Sequence, residues 1–269
     1  MEDEGLYRFL FFAGIFLLMG FAELIVPKRL NGQRKFDRWL TNISIGGIDS
    51  FLIRLLGFVS IPIVAVGAAL FAEDVGFGLF HLIQLPGWLE VIVAFVILDF
   101  AIYLQHVASH KIPILWNVHQ VHHSDTHIDV TTAVRFHPIE IGLSMLYKVI
   151  WVFVFGIDVF AVLLFEISLN GFAMFNHANV ALPKGLDRIL RLIIVTPDMH
   201  RVHHSIKTNE TDSNYGFNLA IWDRMFKTYI PQPKDGHTKM LIGLSSYRGA
   251  NPSKFLWSIS LPFRNNKDD

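Results

Sequence analysis

The segment HQVHHS, residues 119–124, is nearly repeated as HRVHHS at residues 200–205. The residues that precede the two segments, LWNV and TPDM, are unrelated, so the pair does not belong to a duplicated domain or a solenoid. Two unrelated stretches therefore share one local pattern, His-x-x-His-His, which indicates a shared chemical role. Because residues three and four positions apart lie on one face of a helix, each pattern is expected to direct two or three imidazoles toward one point.

A third cluster lies upstream, where His106 and His110 form His-x-x-x-His. This i, i+4 pair also shares one helical face, so eight of the 13 histidines fall into three clusters. Neutral imidazole is the commonest biological metal ligand, and rings packed together without a metal would lack partners beside lipid. The spacing therefore predicts a metal centre. Eight or more imidazoles exceed the four ligands of a structural zinc site, which favours two ions.

The ligand type restricts the choice of metal. Imidazole favours zinc, copper, iron or nickel over magnesium or calcium, and the sequence does not choose among the first four. The chain has no cysteine, which excludes disulfides, a cysteine nucleophile and an iron–sulfur cluster held by four thiolates.

Four carboxylates are candidates to support the ligands, because a metal-bound histidine usually donates its second N–H to a carboxylate or carbonyl. Asp99 lies seven residues before His106, two helical turns back on the same face, inside an apolar stretch. A carboxylate at such a depth is costly and usually functional, with a capping or packing role as the alternative. The other candidates are Asp125, Glu140 and Asp198.

The bulk composition indicates a membrane protein. Hydrophobic residues make up 52% of the 269 residues and charged residues 17%, whereas an average soluble domain carries about 25% charge. The formal net charge of zero argues against a nucleic-acid partner.

We predict three membrane spans, at Phe9–Val26, Ile48–Ala72 and Trp88–Gln105. The first is predicted to be retained, because the acidic start MEDEG lacks the positive charge that a signal peptide needs. Pro62 is expected to kink the second span. Residues 139–175 form either two spans of minimal length, joined near Phe155–Asp158, or a hairpin that only dips into the bilayer. The predicted fold is an all-α membrane bundle with about four transmembrane helices and a cytoplasmic helical cap that carries the histidine clusters.

Charges around the spans predict the topology. The loop 27–38 carries five Lys or Arg against one Asp, whereas the connection 73–87 carries Glu73 and Asp74 and no basic residue. The positive-inside rule then predicts that the loop and the histidine clusters are cytoplasmic. We predict N-terminal spans at 1–98, a domain at 99–230 that carries the histidine clusters and includes the membrane hairpin 139–175, and a cytoplasmic tail at 231–269.

A segment between the last two histidine-bearing stretches is amphipathic. Its five aliphatic residues on one helical face are Leu186, Ile189, Leu190, Ile193 and Ile194. Asp187, Arg188 and Arg191 fall off that face. Such a helix either lies in the headgroup plane of a membrane or packs on its own domain.

In combination, these motifs resemble the fatty acid hydroxylase / sterol desaturase superfamily of integral-membrane di-iron oxidoreductases. The matching segments are HVASH at 106–110, HQVHH at 119–123, RFHPIE at 135–140, FNHANV at 175–180, HRVHH at 200–204 and NYGFNLAIWDRMFKTY at 214–229. Any one of them alone would be weak, whereas the histidine boxes together are highly specific.

The resemblance implies two non-haem irons and an O2-dependent hydroxylation or desaturation of a lipid, such as a sterol, a fatty acyl chain or an ether lipid. The implied iron ligands are His106, His110, His119, His122, His123, His200, His203 and His204, with His177 as a ninth. His137 would be a further ligand or would support one. Some relatives carry a fused electron carrier. This chain enters a span directly after its start, so its electrons would come from a separate protein. A bacterial inner membrane is favoured over the endoplasmic reticulum, because the sequence carries no retention signal.

Two other functions also fit a histidine-rich membrane protein. A metal transporter or metal-binding protein would place its histidines along a path across the bilayer, whereas here they collect on one predicted side. A metal-dependent hydrolase would use His-Glu-x-x-His or another carboxylate base beside the histidine pair, and neither His-x-x-His-His segment contains one.

Overall fold

A computed structural model describes residues 4–30, 35–60, 64–249 and 251–264. Within these ranges the secondary structure is helical, with three isolated β-bridges and no strand, which confirms the predicted all-α class. The α-helices are α1 (Glu4–Ile25), α2 (Lys35–Val59), α3 (Ala65–Val75), α4 (Leu79–Ile83), α5 (Gly87–Lys111), α6 (Pro113–His123), α7 (Pro138–Phe155), α8 (Val159–His177), α9 (Lys184–Leu190), α10 (Pro197–His203), α11 (Thr208–Thr211), α12 (Ile221–Met225), α13 (Gly236–Lys239) and α14 (Phe255–Ser260).

Five of these helices, α1, α2, α5, α7 and α8, are long and apolar enough to cross a bilayer. The predicted segment 139–175 forms α7 and α8, which are joined at Gly156–Asp158, where the sequence predicts the turn. With 18 and 19 residues, these two helices are about 27 and 29 Å long, close to the ~30 Å of a hydrocarbon core.

The predicted second span, Ile48–Ala72, is not one helix. α2 begins 13 residues earlier, at Lys35, and ends at Val59, and α3 begins at Ala65. The first half of α2 escapes a search for apolar runs because Arg38 and Asn42 are buried against the protein interior. The predicted kink at Pro62 lies outside the described residues.

An apolar core joins α3, α5, α7 and α8. Small side chains such as Ala68 and Ala94 lie beside Leu98, Val162 and Phe165, all buried. Small residues let membrane helices approach closely, which gains dispersion contacts where no hydrophobic effect drives association. Two turns at one end of this core also interlock, since a Cβ on Gly78 would lie 2.3 Å from the backbone of Gly156.

A buried ion-pair network fastens α1 to the α7–α8 hairpin. Glu166 on α8 accepts from Lys148 on α7 at 2.6 Å and from Arg8 on α1 at 2.7 Å. Charged groups inside a helical bundle are tolerated when paired in this way. Removing one partner of such a pair destabilises the fold more than replacing the whole pair by apolar residues.

The C-terminal part of the chain packs back onto the histidine-bearing region. Trp257 and Leu261 are buried against Ile45 of α2 and Val121 of α6. Arg135, which has no exposed surface, lies at the centre of this contact. Its guanidinium donates to five oxygens, those of Val121 O, Asn42 Oδ1, Ser124 Oγ, Pro252 O and Ser258 Oγ.

Candidate metal centre

Four helix ends deliver the histidines to one region. His106 and His110 lie in the last two turns of α5, and His177 is the last residue of α8. α6 starts two residues after α5 ends, with Pro113 at its first position, where a missing N–H costs nothing. α10 starts with Pro197 after Thr196, whose hydroxyl caps the backbone N–H of Met199. Proline at both starts fixes the two short helices that carry the His-x-x-His-His segments.

Nine predicted ligands form two compact groups, in each of which the candidate ligand nitrogens lie within 4.8 Å of one another. The five-histidine group is His106, His110, His119, His123 and His203. The four-histidine group is His122, His177, His200 and His204. The groups are adjacent, since the rings of His123 and His204 stack with centroids 4.6 Å apart.

As predicted, each His-x-x-His-His segment directs two of its imidazoles to one group, and its third imidazole joins the other group. In the first segment His119 and His123 join the five-histidine group, and His122 joins the other. The second segment divides in the opposite sense, because only His203 joins the five-histidine group. A helix turns about 100° per residue, so neighbours such as His122 and His123 diverge while positions i and i+4 stay close. Each segment therefore lies between the two groups and contributes to both.

Backbone carbonyls fix four of the nine rings. Nδ1 of His106 donates to Tyr215 O at 2.8 Å, and Nδ1 of His203 donates to Ser213 O at 2.8 Å. In the four-histidine group, His122 donates to Arg135 O at 3.2 Å and His177 to Ala173 O at 2.7 Å. A carbonyl can only accept, so each of these rings carries its proton on Nδ1 and presents the lone pair of Nε2. This is the arrangement that metal-binding histidines adopt.

The Nε2 lone pairs of these buried rings face one another at short range. Nε2 of His122 and Nε2 of His177 are 3.1 Å apart, and both rings hold their proton on the other nitrogen. Nε2 of His177 is also 3.0 Å from Nε2 of His200. Two acceptors repel at this distance unless a cation lies between them. Two nitrogens bound at right angles about 2.1 Å from one ion would lie about 3 Å apart, so the spacing fits a shared metal ion.

The five-histidine group shows the same features. Nε2 of His119 and Nε2 of His203 are buried and have no hydrogen-bond partner among the described residues. Nε2 of His110 and Nε2 of His123 are 3.1 Å apart. Both groups consist of imidazole nitrogens alone, a donor set that suits iron, zinc, copper or nickel rather than magnesium or calcium. The residues fit two transition-metal ions.

Burial keeps the rings in the form that binds metal. Desolvation, followed by the charge of neighbouring rings, lowers the pKa of His122, His123, His200 and His204 well below 6.5. Burial lowers the pKa of His203 to about 3. These imidazoles are therefore neutral at pH 7, and protons do not compete with a metal for their lone pairs.

Glu140 is the predicted carboxylate that contacts a histidine of the two groups. Its Oε1 accepts from Nδ1 of His119 at 2.6 Å, which is the distance of a strong charge-assisted bond. The sequence offers Glu140 as a partner because of its position after His137, but the ring that it holds comes from α6.

Asp99 is buried and supports the metal centre indirectly. Its carboxylate accepts from Nε1 of Trp222 at 2.8 Å and from the backbone N–H groups of Asn218 and Leu219 at 3.2 and 3.1 Å. These bonds hold the segment whose Tyr215 carbonyl orients His106. The structure therefore connects Asp99 to the ligands through a loop rather than through a ring contact.

Asp125 and Asp198 form ion pairs that do not contact the rings of the two groups. Asp125 accepts from Arg38 at 2.8 Å, and Asp198 accepts from Lys28 at 2.6 Å. Asp198 also pairs with Arg201, which lies on α10 between His200 and His203. Asp125 thus fastens the end of α6 to α2, and Asp198 fastens the start of α10 to the segment that follows α1.

The structure does not bring His137 to either group. It is the N-cap residue of α7, where Nδ1 accepts from the backbone N–H of Ile139 at 3.2 Å. Its Nε2 donates to Ile259 O at 3.1 Å. His137 thus links the start of α7 to the C-terminal helix.

Several supporting groups escape the sequence analysis. The carbonyls of Ser213, Tyr215 and Arg135 belong to the backbone, so residue type gives no signal for them. Asp212 Oδ1 lies 3.5 Å from Nδ1 of His110, and Asp223 accepts from the N–H groups of Tyr215 and Gly216, both at 2.8 Å. Asp223 lies within the segment 214–229 and Asp212 lies two residues before it. These positions are the only sequence signal for the two carboxylates.

Comparison with known proteins agrees with this geometry. The family model described as fatty acid hydroxylase matches residues 91–228, which is half of the chain and includes both groups. An ornithine lipid hydroxylase from Rhizobium tropici is 32% identical over 181 residues, covering 67% of this chain and 52% of the relative. Alkylglycerol monooxygenase from Xenopus tropicalis is 32% identical over 237 residues, covering 86% and 48%. The human alkylglycerol monooxygenase is 31% identical over 241 residues, covering 87% and 49%.

The chain spans about half the length of these curated relatives. No solved structure matches it. The family match and the five long apolar helices together identify an integral membrane protein.

Proposed function

Since this chain belongs to the fatty acid hydroxylase family, we propose that it is a membrane-bound di-iron enzyme that uses O2 to insert one oxygen atom into a lipid. The two compact groups of buried imidazoles carry this proposal. The names of the relatives, a hydroxylase and monooxygenases that act on lipids, support it and weigh against a transporter.

The five-histidine and four-histidine groups would each hold one iron. Two bound irons would supply the redox chemistry that activates O2. The chain supplies the ligands, fixes five of them through backbone carbonyls and Glu140, and keeps bulk water away from rings that are almost fully buried. Exclusion of water protects an oxidising site from side reactions, while the cofactor carries out the difficult step.

The overall reaction that we propose converts a lipid C–H bond to C–OH. One atom of O2 enters the lipid and the other leaves as water, which requires two electrons and two protons. A separate electron-donor protein would supply the electrons. Among the lipid classes that the sequence allows, the relatives favour a polar membrane lipid or an ether lipid over a sterol, and hydroxylation over desaturation.

The proposed organisation divides the chain into three parts. Residues 1–98 would provide N-terminal spans, 99–230 the catalytic domain and 231–269 a cytoplasmic tail. The basic residues that follow α1 support a cytoplasmic position for the histidine groups. The membrane that we propose is a bacterial inner membrane. α7 and α8 have the length of two spans.

Metal content and lipid mass together test the proposal. The protein purified from iron-supplemented cells should hold two irons per chain, and His203→Ala and His204→Ala should each remove iron from a different group. His81→Ala, in an exposed position on α4, is the matched control and should keep both irons. Cells that express the wild type should contain one lipid class with the mass of an added oxygen, and both ligand variants should lack it. A wild-type protein that binds no redox-active metal would overturn the proposal.

A further inference from the structure

An apolar surface lies on the cap, by which we mean the short helices α9–α13 that follow α8 and include His200 and His203. It is formed by side chains that are 45–67% exposed, namely Leu186, Ile189, Leu192, Ile193, Ile221, Met225 and Phe226. We call this surface the cap patch. Its two halves are joined by backbone bonds, because the N–H of Ala220 donates to Ile193 O at 2.9 Å and Ile194 forms a β-bridge with Leu219.

In the segment 184–194, two charged side chains point into the protein and aliphatic side chains point outward, which is the reverse of an ordinary surface helix. Asp187 and Arg191 are buried and paired with each other, and Asp187 also accepts from the hydroxyl of Thr196 at 2.7 Å. The aliphatic residues Ile189 and Ile193 face outward. A helix in contact with water buries its apolar stripe and exposes its charges, so this inversion indicates an apolar environment outside the cap.

The cap patch continues the surface of a membrane helix. The ring of Phe226 stacks on Phe100 and Tyr103 of α5, with centroids 5.8 and 5.4 Å apart. Leu104, one residue further along α5, is also exposed. Since α5 is long and apolar enough to cross the bilayer, the patch adjoins a surface that lipid would cover.

The charges at the edge of the cap patch suit a lipid headgroup layer. Lys184, Arg188 and Lys227 are exposed, whereas the acids of the same two segments, Asp187 and Asp223, are buried. A basic rim around an apolar face is the pattern of elements that lie in the membrane interface, where anionic headgroups attract the cations.

We propose that the cap patch is a membrane seat, which inserts its aliphatic side chains into the interfacial layer and fastens the cap to the bilayer. The seat is tied to the metal centre, because Thr196 both bonds Asp187 beneath the patch and caps α10, which carries His200 and His203. The occupant of this surface is lipid, and the inference does not depend on the reaction that the metal centre performs.

The absence of cysteine makes a direct test possible. Single cysteines at Ile189 and Ile193 would carry an environment-sensitive fluorophore in the full-length, iron-loaded protein. The vesicles would contain phosphatidylcholine and phosphatidylglycerol. Ile114→Cys is the matched control, since Ile114 is an aliphatic residue that is 75% exposed at the start of α6, beyond the C-terminal end of α5. All three variants should show the thermal midpoint of the wild type.

Lipids with a nitroxide near the headgroup should quench the labels at 189 and 193 at least threefold more than the label at 114. Aqueous iodide should quench the label at 114 more strongly. Equal access of iodide to all three labels would overturn the proposal that the cap patch is a membrane seat. Protection of positions 189 and 193 from both quenchers would also overturn it, because a protein surface would then cover the patch.

Discussion

The carboxylate of Glu140 should control the affinity of one iron and not of the other. Glu140 accepts from Nδ1 of His119 at 2.6 Å, and His119 belongs to the five-histidine group. In the four-histidine group, His122 and His177 donate to backbone carbonyls, which no side-chain substitution removes. A change at Glu140 therefore acts on a single group.

Glu140→Gln tests this prediction most cleanly. The amide oxygen can still accept from His119, so the ring keeps its orientation, while the negative charge that strengthens the imidazole as a donor is lost. Removing such a supporting group typically weakens metal binding about 10- to 100-fold, or about 1.4 to 2.7 kcal/mol. We expect the lower end for Gln and the upper end for Ala, which also frees the ring.

The assay is iron content after equilibration with graded concentrations of a chelator. The Gln variant should lose its first iron at about one tenth of the chelator concentration that the wild type requires. Its second iron should leave at the wild-type concentration. Asp158→Asn is the matched control, because Asp158 is a carboxylate that caps α8 at the exposed turn, and asparagine caps equally well.

Two outcomes would contradict this prediction. In one, both irons of the Gln variant leave together at lower chelator concentration, which would mean that the two groups bind as one unit. In the other, the release curve of the variant coincides with that of the wild type, which would mean that the charge of Glu140 has no effect on His119.

Three further predictions concern the surroundings of the two groups. Arg135→Lys should lower the free energy of unfolding by about 3–5 kcal/mol in a detergent-based denaturation series, since lysine cannot replace five guanidinium bonds in a buried site. Asp99→Asn should weaken iron binding about 10-fold in the chelator assay while the Trp222 fluorescence changes, because the loop that orients His106 loosens. In the metal-free protein the pKa of His203 is about 3, so the unfolded chain binds more protons below pH 6.5, and the thermal midpoint should fall as pH decreases from 6.5 toward 3.

The sequence predicts the membrane helices where apolar runs and helices coincide. Predicted spans Phe9–Val26 and Trp88–Gln105 match α1 and α5 to within six residues at each end. α2 is misjudged because its first half is polar on the side that faces the protein. A search for apolar stretches assumes that helices in a membrane are apolar all round, and Arg38 violates this assumption by pairing with Asp125 inside the fold.

The spacing of the histidines predicts their proximity but not their partition. Local periodicity reports which residues share a helical face, and it brings His119, His122 and His123 to one side of α6. Which ion each ring reaches depends on where α5, α8 and α10 end around α6. That is a tertiary relation, and nothing in the local pattern of one helix encodes it.

Two carboxylates that touch no histidine ring hold the loop that orients His106. Asp223 accepts hydrogen bonds from the N–H groups of Tyr215 and Gly216, and Asp99 accepts them from those of Asn218 and Leu219. With its donors occupied, this stretch can aim the carbonyl of Tyr215 at His106. The neighbouring carbonyl of Ser213 is aimed at His203. The backbone that orients these rings is itself fixed by side chains at a distance, so variants at Asp99 and Asp223 should change iron binding without removing a ligand.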